Sequence, residues 1–531
     1  MIEIYDCTPR EGEQAAGASF SFENRIELFK KLDEFGVDFI ELGWPHASTD
    51  IFRAFAECKK LAKHAKIVAF GSTSISKEIE KDENLNSIVS CGAKYACIFG
   101  KTSLEHIKKQ LKITPEKNLS KIKESIEFLK KNNIRVFYDA EHYFDGYKEN
   151  KKYAIETLIS ALNAGAEKII LCDTNGGILP NEAEKITRET KEQLESFNIK
   201  FQLGVHFHND CGLALANTLL CLPYINQVQG TINGIGERVG NLDFSSFLPI
   251  YTKKLSKELN FNLKELKELN EEAYRLSGIE IPEKKPFVGE TAFAHKGGVH
   301  IDANNKGASY EHVEPEDFGN KSITILNTLG GKSAVISVAE EFGHNLDKKD
   351  YQIVEKINRL FKELKEYENR GYKIGAMKAE QFLLIEKYFG NLKEFFKILE
   401  WEIKTSYNNG EEESVFNVEC KFDNGEITEE ELEINGGPVD VAYKTLKNLV
   451  SRRYSEISNL QLIDFHVSIA RSEREESSVR TKITFKSEKE EFEIVGVDSN
   501  ILQSAIEAIE KGFKYWLNLK YKEKSWNNKN Q

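Results

Sequence analysis

The sequence predicts an α/β protein: an eight-unit (β/α)8 barrel, then helical linker subdomains, then a C-terminal α+β domain with an internal repeat. Three observations carry this. Strand-like and helix-like segments alternate roughly every 30 to 40 residues up to about residue 260. The strand-like segments are nearly continuous apolar runs, as parallel strands covered on both faces require. Two segments near the C-terminus repeat one another at an offset of 60 residues.

In order, the strands read "IEIYDCT" (2–8), "VDFIELGW" (37–44), "KIVAFGS" (66–72), "KYACIFG" (94–100), "RVFYDAE" (135–141), "KIILCDT" (168–174), "QLGVHFH" (202–208) and "QVQGTIN" (227–233). Amphipathic stretches such as "ENRIELFKKLDEFG" and "KYAIETLISALNAG" separate them, each closed by glycine, a common helix stop. Eight such units suit a closed TIM barrel; an open doubly wound sheet rarely carries eight at this regularity. The barrel is expected over 1–262. Residues 263–398 read as mostly helical, punctuated by Pro282, Pro286 and Pro315. The C-terminal domain is expected over 399–520, and 521–531 as a frayed tail.

Composition narrows the function. A chain of 531 residues, 40% hydrophobic, can bury more than one core. A net charge of −12 argues against a nucleic-acid surface. No run is long enough for a membrane span, and the opening strand leaves no room for a signal peptide. The eight cysteines form no CxxC pair and read as reduced thiols of a cytoplasmic protein.

A barrel enzyme holds its chemistry where strands end. Arg10 and Glu11 follow the first strand, and Glu41 ends the second. Ser72 and Thr73 end the third, Glu141 the fifth, and Asp173 and Thr174 the sixth. His206, His208, Asn209 and Asp210 end the seventh; Asn233, Glu237, Arg238 and Asn241 follow the eighth. His206 and His208 stand two apart on a strand, so both imidazoles leave one face and make half a metal site. The HxH pair alone also fits hydrogen-bonded rim residues, and Arg10–Glu11 also fits an ion pair at the rim. "NGIGERVG" lacks dinucleotide-loop spacing, and the glycines of "AHKGGVH" place its histidines on a loop.

"DCTPREGEQ" (6–14), "HFHNDCGLALANTL" and "GTINGIGERVGN" (230–241) resemble the acyltransferase superfamily of 2-isopropylmalate, homocitrate and citramalate synthases. The same barrel superfamily includes hydroxymethylglutaryl-CoA lyase. "IELGWPHAS" (40–48), "FYDAEHYFDGY" (137–147), "GETAFAHKGGVHIDA" (289–303) and "LKEYENRGYKIGAMKAEQFLL" (364–384) are most similar to the long-form (R)-citramalate synthases.

That resemblance implies a divalent metal ion (Mg, Mn or Zn) held by Glu11, His206, His208 and Asn241. Most relatives have aspartate at position 11; glutamate is one methylene longer but still offers oxygen to a hard cation. Pro9 stands where leucine is usual. The resemblance further implies that Arg10, Thr174 and Asp302 contact a 2-oxo acid. Glu141 would lie near the acetyl group of acetyl-CoA, and His300 and Tyr310 would reach in catalytically from a partner subunit, making a homodimer. The implied reaction is condensation of acetyl-CoA with pyruvate, on a branched-chain amino-acid (isoleucine) route. 2-Isopropylmalate synthase, homocitrate synthase and a carbon–carbon lyase are the alternatives.

"ELEINGGPVDVAYKTL" (431–446) and "EFEIVGVDSNILQSAI" (491–506) form the C-terminal repeat, expected as two ββα copies. It resembles the dimer domain of the family, which implies an allosteric amino acid, isoleucine or leucine; a purely dimerising module is the other reading.

Overall fold

The computed structural model describes residues 2–297, 310–347, 349–373, 375, 377–408, 410–470, 478–488 and 490–529. Strands β1 (Glu3–Asp6), β2 (Phe39–Gly43), β3 (Lys66–Ser72), β4 (Tyr95–Lys101), β5 (Arg135–Glu141), β6 (Lys168–Asp173), β7 (Gln202–Phe207) and β8 (Gln227–Gly230) close a barrel in sequence order. Every neighbour is parallel, including β8 back onto β1, where Ile4 pairs with Val228. Closure removes both sheet edges and leaves each strand buried on both faces. Helices Phe22–Phe35 and Lys151–Ala164 end at Gly36 and Gly165, as their sequences predict.

One parity of each strand points out to the helices and the other into the barrel. Tyr5, Phe39, Val68, Phe70, Cys97 and Phe137 form an inner cluster separate from the helix-facing core. Phe39 and Phe137 pack edge to face at 5.2 Å, with Tyr5 at 6.0 Å from Phe39 and Tyr95 at 6.0 Å from Phe137. These rings floor the barrel. Two residues further along, the same parity turns polar: Glu41, Asp139, His206 and Gln229, all buried.

The barrel belongs to a compact unit comprising residues 1–293 and 313–321. It therefore takes in helix Leu266–Ser277, beyond the strand–helix repeat proper.

The second unit comprises residues 294–312 and 322–531. A short parallel pair, β9 (Ala294–His295) with β10 (Ile323–Thr324), precedes helices Gly331–Glu341, Tyr351–Arg370 and Lys378–Tyr388. Two antiparallel sheets follow, β11 (Phe396–Asn408), β12 (Glu411–Phe422), β13 (Ile427–Asn435) and β14 (Gln461–Ala470), β15 (Ser478–Lys486), β16 (Glu491–Asp498). Helices Pro438–Ser451 and Ile501–Lys529 close the two copies. Each copy is thus βββα rather than ββα. β11 alternates exposed charged residues (Lys397, Glu402, Lys404) with half-buried apolar ones, whereas β14 leaves Ile463, Phe465 and Ile469 exposed. The last helix also continues past residue 520, to Lys529, with a Lys520–Glu523 pair at 2.9 Å on its surface.

Among the described residues no helix is long and apolar enough to cross a membrane. All eight cysteines are free thiols, and only Cys211 is exposed.

Candidate active site

The site begins with how the chain leaves β1. The Asp6 carboxylate accepts from the Thr8 N–H and Thr8 Oγ1, both at 2.9 Å, turning the chain at once. Pro9 then starts the one-turn helix Thr8–Glu11, a position where its missing N–H costs nothing. Arg25 donates to the Pro9 carbonyl and, at 3.1 Å, to that of Leu42, tying the turn to β2. Arg10 and Glu11 are thereby carried over the barrel mouth.

The Arg10 guanidinium lies 3.9 Å over the Phe70 ring and pairs with Glu41 through Nε and with Glu11 through Nη1. Glu41 is fixed in turn by the Tyr5 hydroxyl, which donates to it at 2.6 Å. Burial works against the charge on Arg10, but Glu41, with Cys7 and Asp139 adding to it, holds the guanidinium above its ordinary pKa. The rim ion pair read from the sequence is therefore real, and it sits inside the site.

Facing it, the ligand atoms of Glu11, His206 and His208 all lie within 4.8 Å of one another, and all three residues are buried. Glu11 Oε1 is 3.7 Å from His208 Nε2, so the longer glutamate still reaches the histidines. Asn241 joins them, with its Oδ1 3.0 Å from His206 Nε2. Burial, then the charge of Arg10, depresses the His206 pKa. Burial, then His206, Arg238 and Arg10, pushes that of His208 down to about 2. Neutral imidazoles offer lone pairs, and the buried His208 Nδ1 has no well-formed hydrogen bond among the described residues. Two imidazoles, one carboxylate and one amide oxygen around one point fit a divalent cation.

The loop after β8 shows why its glycines are there. Gly240 has φ +92, and a Cβ on it would collide with the Gly234 carbonyl that accepts from the Asn241 N–H at 2.9 Å. A Cβ on Gly236 would collide with the Asn241 amide and crowd Glu11 Cγ at 3.2 Å. Arg238 locks the loop down, donating to Asp210 at 2.7 and 2.9 Å and to the Thr174 carbonyl at 2.9 Å.

A cavity of about 300 Å³ opens beside these groups, lined by Arg10, Glu11, Trp44, Phe70, Phe99, Asp139, Glu141, Thr174, both histidines and Glu237, among others. Lys101 Nζ is 2.5 Å from Glu141 Oε2, close in distance though poorly angled for a hydrogen bond. Thr174 Oγ1 accepts from the His142 N–H at 2.8 Å. Other strand-end residues serve the scaffold. Asp173 accepts from Gly177 and Ile178 at 3.3 Å, and Asn209 Oδ1 from Ala214 at 3.2 Å. Asn233, at φ +70, turns to Asn270 and Ser245 instead of the cavity. His300 and Asp302 lie outside the described residues, and Tyr310 belongs to the second unit, where it is 55% exposed.

Sequence reasoning missed Asp139, Gln229, Cys97 and Lys101. Asp139 Oδ1 accepts from Cys97 Sγ at 3.0 Å and Gln229 Nε2 at 3.4 Å, and Gln229 Oε1 meets His206 Nδ1 at 2.8 Å. Strand parity was the available signal, because Asp139 shares that of Glu141.

Residues 1–272 match the HMGL-like family, 287–369 the homocitrate synthase post-HMGL domain-like family, and 377–517 the LeuA allosteric (dimerisation) domain. An (R)-citramalate synthase of Aquifex aeolicus is 37% identical over 97% of this chain and 98% of that protein. One of Geobacter sulfurreducens is 36% identical over the same shares. The chain belongs to the (R)-citramalate synthase family. It is an acyltransferase-type enzyme on an HMGL-like barrel. A "Probable 2-isopropylmalate synthase" of Archaeoglobus fulgidus, outside the citramalate synthases, is 28% identical over 98% of both chains.

Burial, then the nearby Glu41 charge, raises the Asp139 pKa from 3.8 to about 7. A carboxyl whose pKa is higher folded than unfolded costs stability as pH rises through that window. Asp139→Asn removes the cost. Relative to wild type, the variant should gain stability between about pH 4 and 7, by something on the order of 4 kcal/mol, and stay level above. Urea melts of the metal-free proteins at several pH values measure this; a pH-independent difference would contradict it.

Proposed function

We propose that this protein condenses acetyl-CoA with pyruvate to give (R)-citramalate and CoA. The observation that carries the reading is one cavity in which a charged Arg10 stands beside the cluster Glu11, His206 and His208. A divalent ion (Mg, Mn or Zn) held there with Asn241 would supply Lewis-acid polarisation of a ketone. The relatives that support pyruvate as substrate are named for (R)-citramalate.

The chain's own groups divide the work. Arg10 binds the 2-oxo acid and balances the negative charge that gathers on its ketone oxygen. Trp44, Phe70 and Phe99, packed edge to face or stacked at 5.4 to 5.9 Å, wall the cavity and suit a small side chain. Thr174 and Asp302 complete the substrate contacts. Glu141 accepts a proton from the acetyl methyl group, with Lys101 holding its carboxylate in place. The methyl carbon then bonds to the ketone carbon, whose oxygen ends as a hydroxyl. Water cleaves the thioester, releasing a carboxylate and the CoA thiol. His300 and Tyr310 act with Glu141 in the proton transfers, supplied by a partner chain. Residues 377–517 support a homodimer with an allosteric site for isoleucine or leucine. Free, mostly buried thiols suit a cytoplasmic setting.

Two measurements test this. With acetyl-CoA and a divalent metal, thiol release should be fastest with pyruvate; a faster rate with 2-oxoisovalerate or 2-oxoglutarate would overturn the assignment. His208→Ala should lose at least about 100-fold in metal-dependent turnover while keeping its circular dichroism spectrum. Near-normal turnover in that variant would remove His208 from the metal site.

A further inference from the structure

The His206 ring meets a partner at each nitrogen, Gln229 Oε1 at Nδ1 (2.8 Å) and Asn241 Oδ1 at Nε2 (3.0 Å). Both partners, as placed, are acceptors. A neutral imidazole has one proton, so only one contact is a hydrogen bond, and the other sets two lone pairs against each other. Asn241 Oδ1 is fixed toward the ring because its Nδ2 donates to the Ile235 carbonyl at 3.2 Å, so which is which depends on what lies behind Gln229 and on what lies between Asn241 and Nε2.

The far end of the Gln229 amide, Nε2, is 3.4 Å from Asp139 Oδ1, and the same oxygen accepts from Cys97 Sγ at 3.0 Å. Both donors meet Oδ1, so this oxygen is an acceptor even when Oδ2 carries a proton. An acceptor there turns the amide's NH2 toward Asp139 and its carbonyl toward His206. With a cation between Nε2 and Asn241 Oδ1, the imidazole proton resides on Nδ1, where the Gln229 carbonyl accepts it. Nε2 is left as a lone pair facing Asn241 Oδ1, an arrangement that a cation satisfies and a hydrogen bond does not. Gln229 and Cys97 are buried away from the cavity, and Asp139 and His206, though at its wall, are buried as well.

We propose that Gln229, oriented by Asp139 and Cys97, is a positioning residue that fixes His206 as its Nδ1–H tautomer and keeps Nε2 open to a divalent cation. This rests on the reading of Glu11, His206 and His208 as a metal site. A neutral amide suits the task, because it passes orientation from Asp139 to His206 without adding a third carboxylate beside Glu41 and Asp139. Groups in this place behind a ligating histidine commonly govern metal affinity.

The test is Mn2+ titration of the metal-stripped full chain, following free Mn2+ by electron paramagnetic resonance. Gln229→Met keeps the volume and loses the acceptor; it should bind Mn2+ about 10- to 100-fold more weakly than wild type. Asp139→Asn keeps an acceptor at Oδ1 and should stay within about threefold, whereas Asp139→Leu should weaken binding toward the Gln229→Met level. At saturating Mn2+, Gln229→Met should recover most of kcat, because the amide touches no substrate atom. Unchanged Mn2+ affinity in Gln229→Met, with wild type binding normally, would reduce Gln229 to a packing residue and overturn the proposal. Equal loss in both Asp139 variants would overturn it too, and it decides the matter if Gln229→Met does not fold. Failure of the wild type itself to bind Mn2+ would instead sink the metal-site reading beneath it.

Discussion

A guanidinium buried in a barrel mouth must find its counter-charge inside the protein, and the rest of the site is arranged around how Arg10 does so. Removing such a charge from water is tolerated only with well-placed partners. Glu41 supplies one from β2, held by the Tyr5 hydroxyl, and Glu11 the other from the same short turn as Arg10. One positive and two negative groups leave formal negative charge beside two neutral imidazoles. That environment suits a divalent cation, beside a guanidinium suited to an organic anion.

The barrel makes this possible through its repeat of two. On β5, residues 137, 139 and 141 step from an aromatic floor to a buried carboxyl to a carboxylate at the cavity wall. On β7, the step runs from Gly204 to His206 to His208, and on β8 from Gln227 to Gln229. Floor, support and reactive groups are therefore successive layers of one inward-facing set of side chains. Rigid strands hold the layers in register, and the loops only have to close the top. The β8 loop does so with Gly236, Gly240 and the Arg238–Asp210 pair, which bring Asn241 onto His206.

Much of this was legible in the sequence. Eight apolar runs and their punctuation located every barrel strand to within a few residues, and HxH with Arg10–Glu11 located the mouth. Of the inner polar layer, Glu41 and His206 were read from their strand-end positions, but Asp139 and Gln229 were not, for a physical reason. A strand buried on both faces has no polar side to mark its orientation, so Asp139 and Gln229 read as isolated polar residues. Asn233 misled because strand-end position does not determine direction; its positive φ sends the amide into the helix packing instead.

Anomalous scattering from crystals grown with Mn2+ and pyruvate addresses the central claim most directly. The expected result is one strong Mn2+ peak bounded by Glu11, His206, His208 and Asn241, with the pyruvate carboxylate beside Arg10. A Mn2+ peak elsewhere, with Arg10 still closed on Glu11 and no pyruvate at it, would contradict the account.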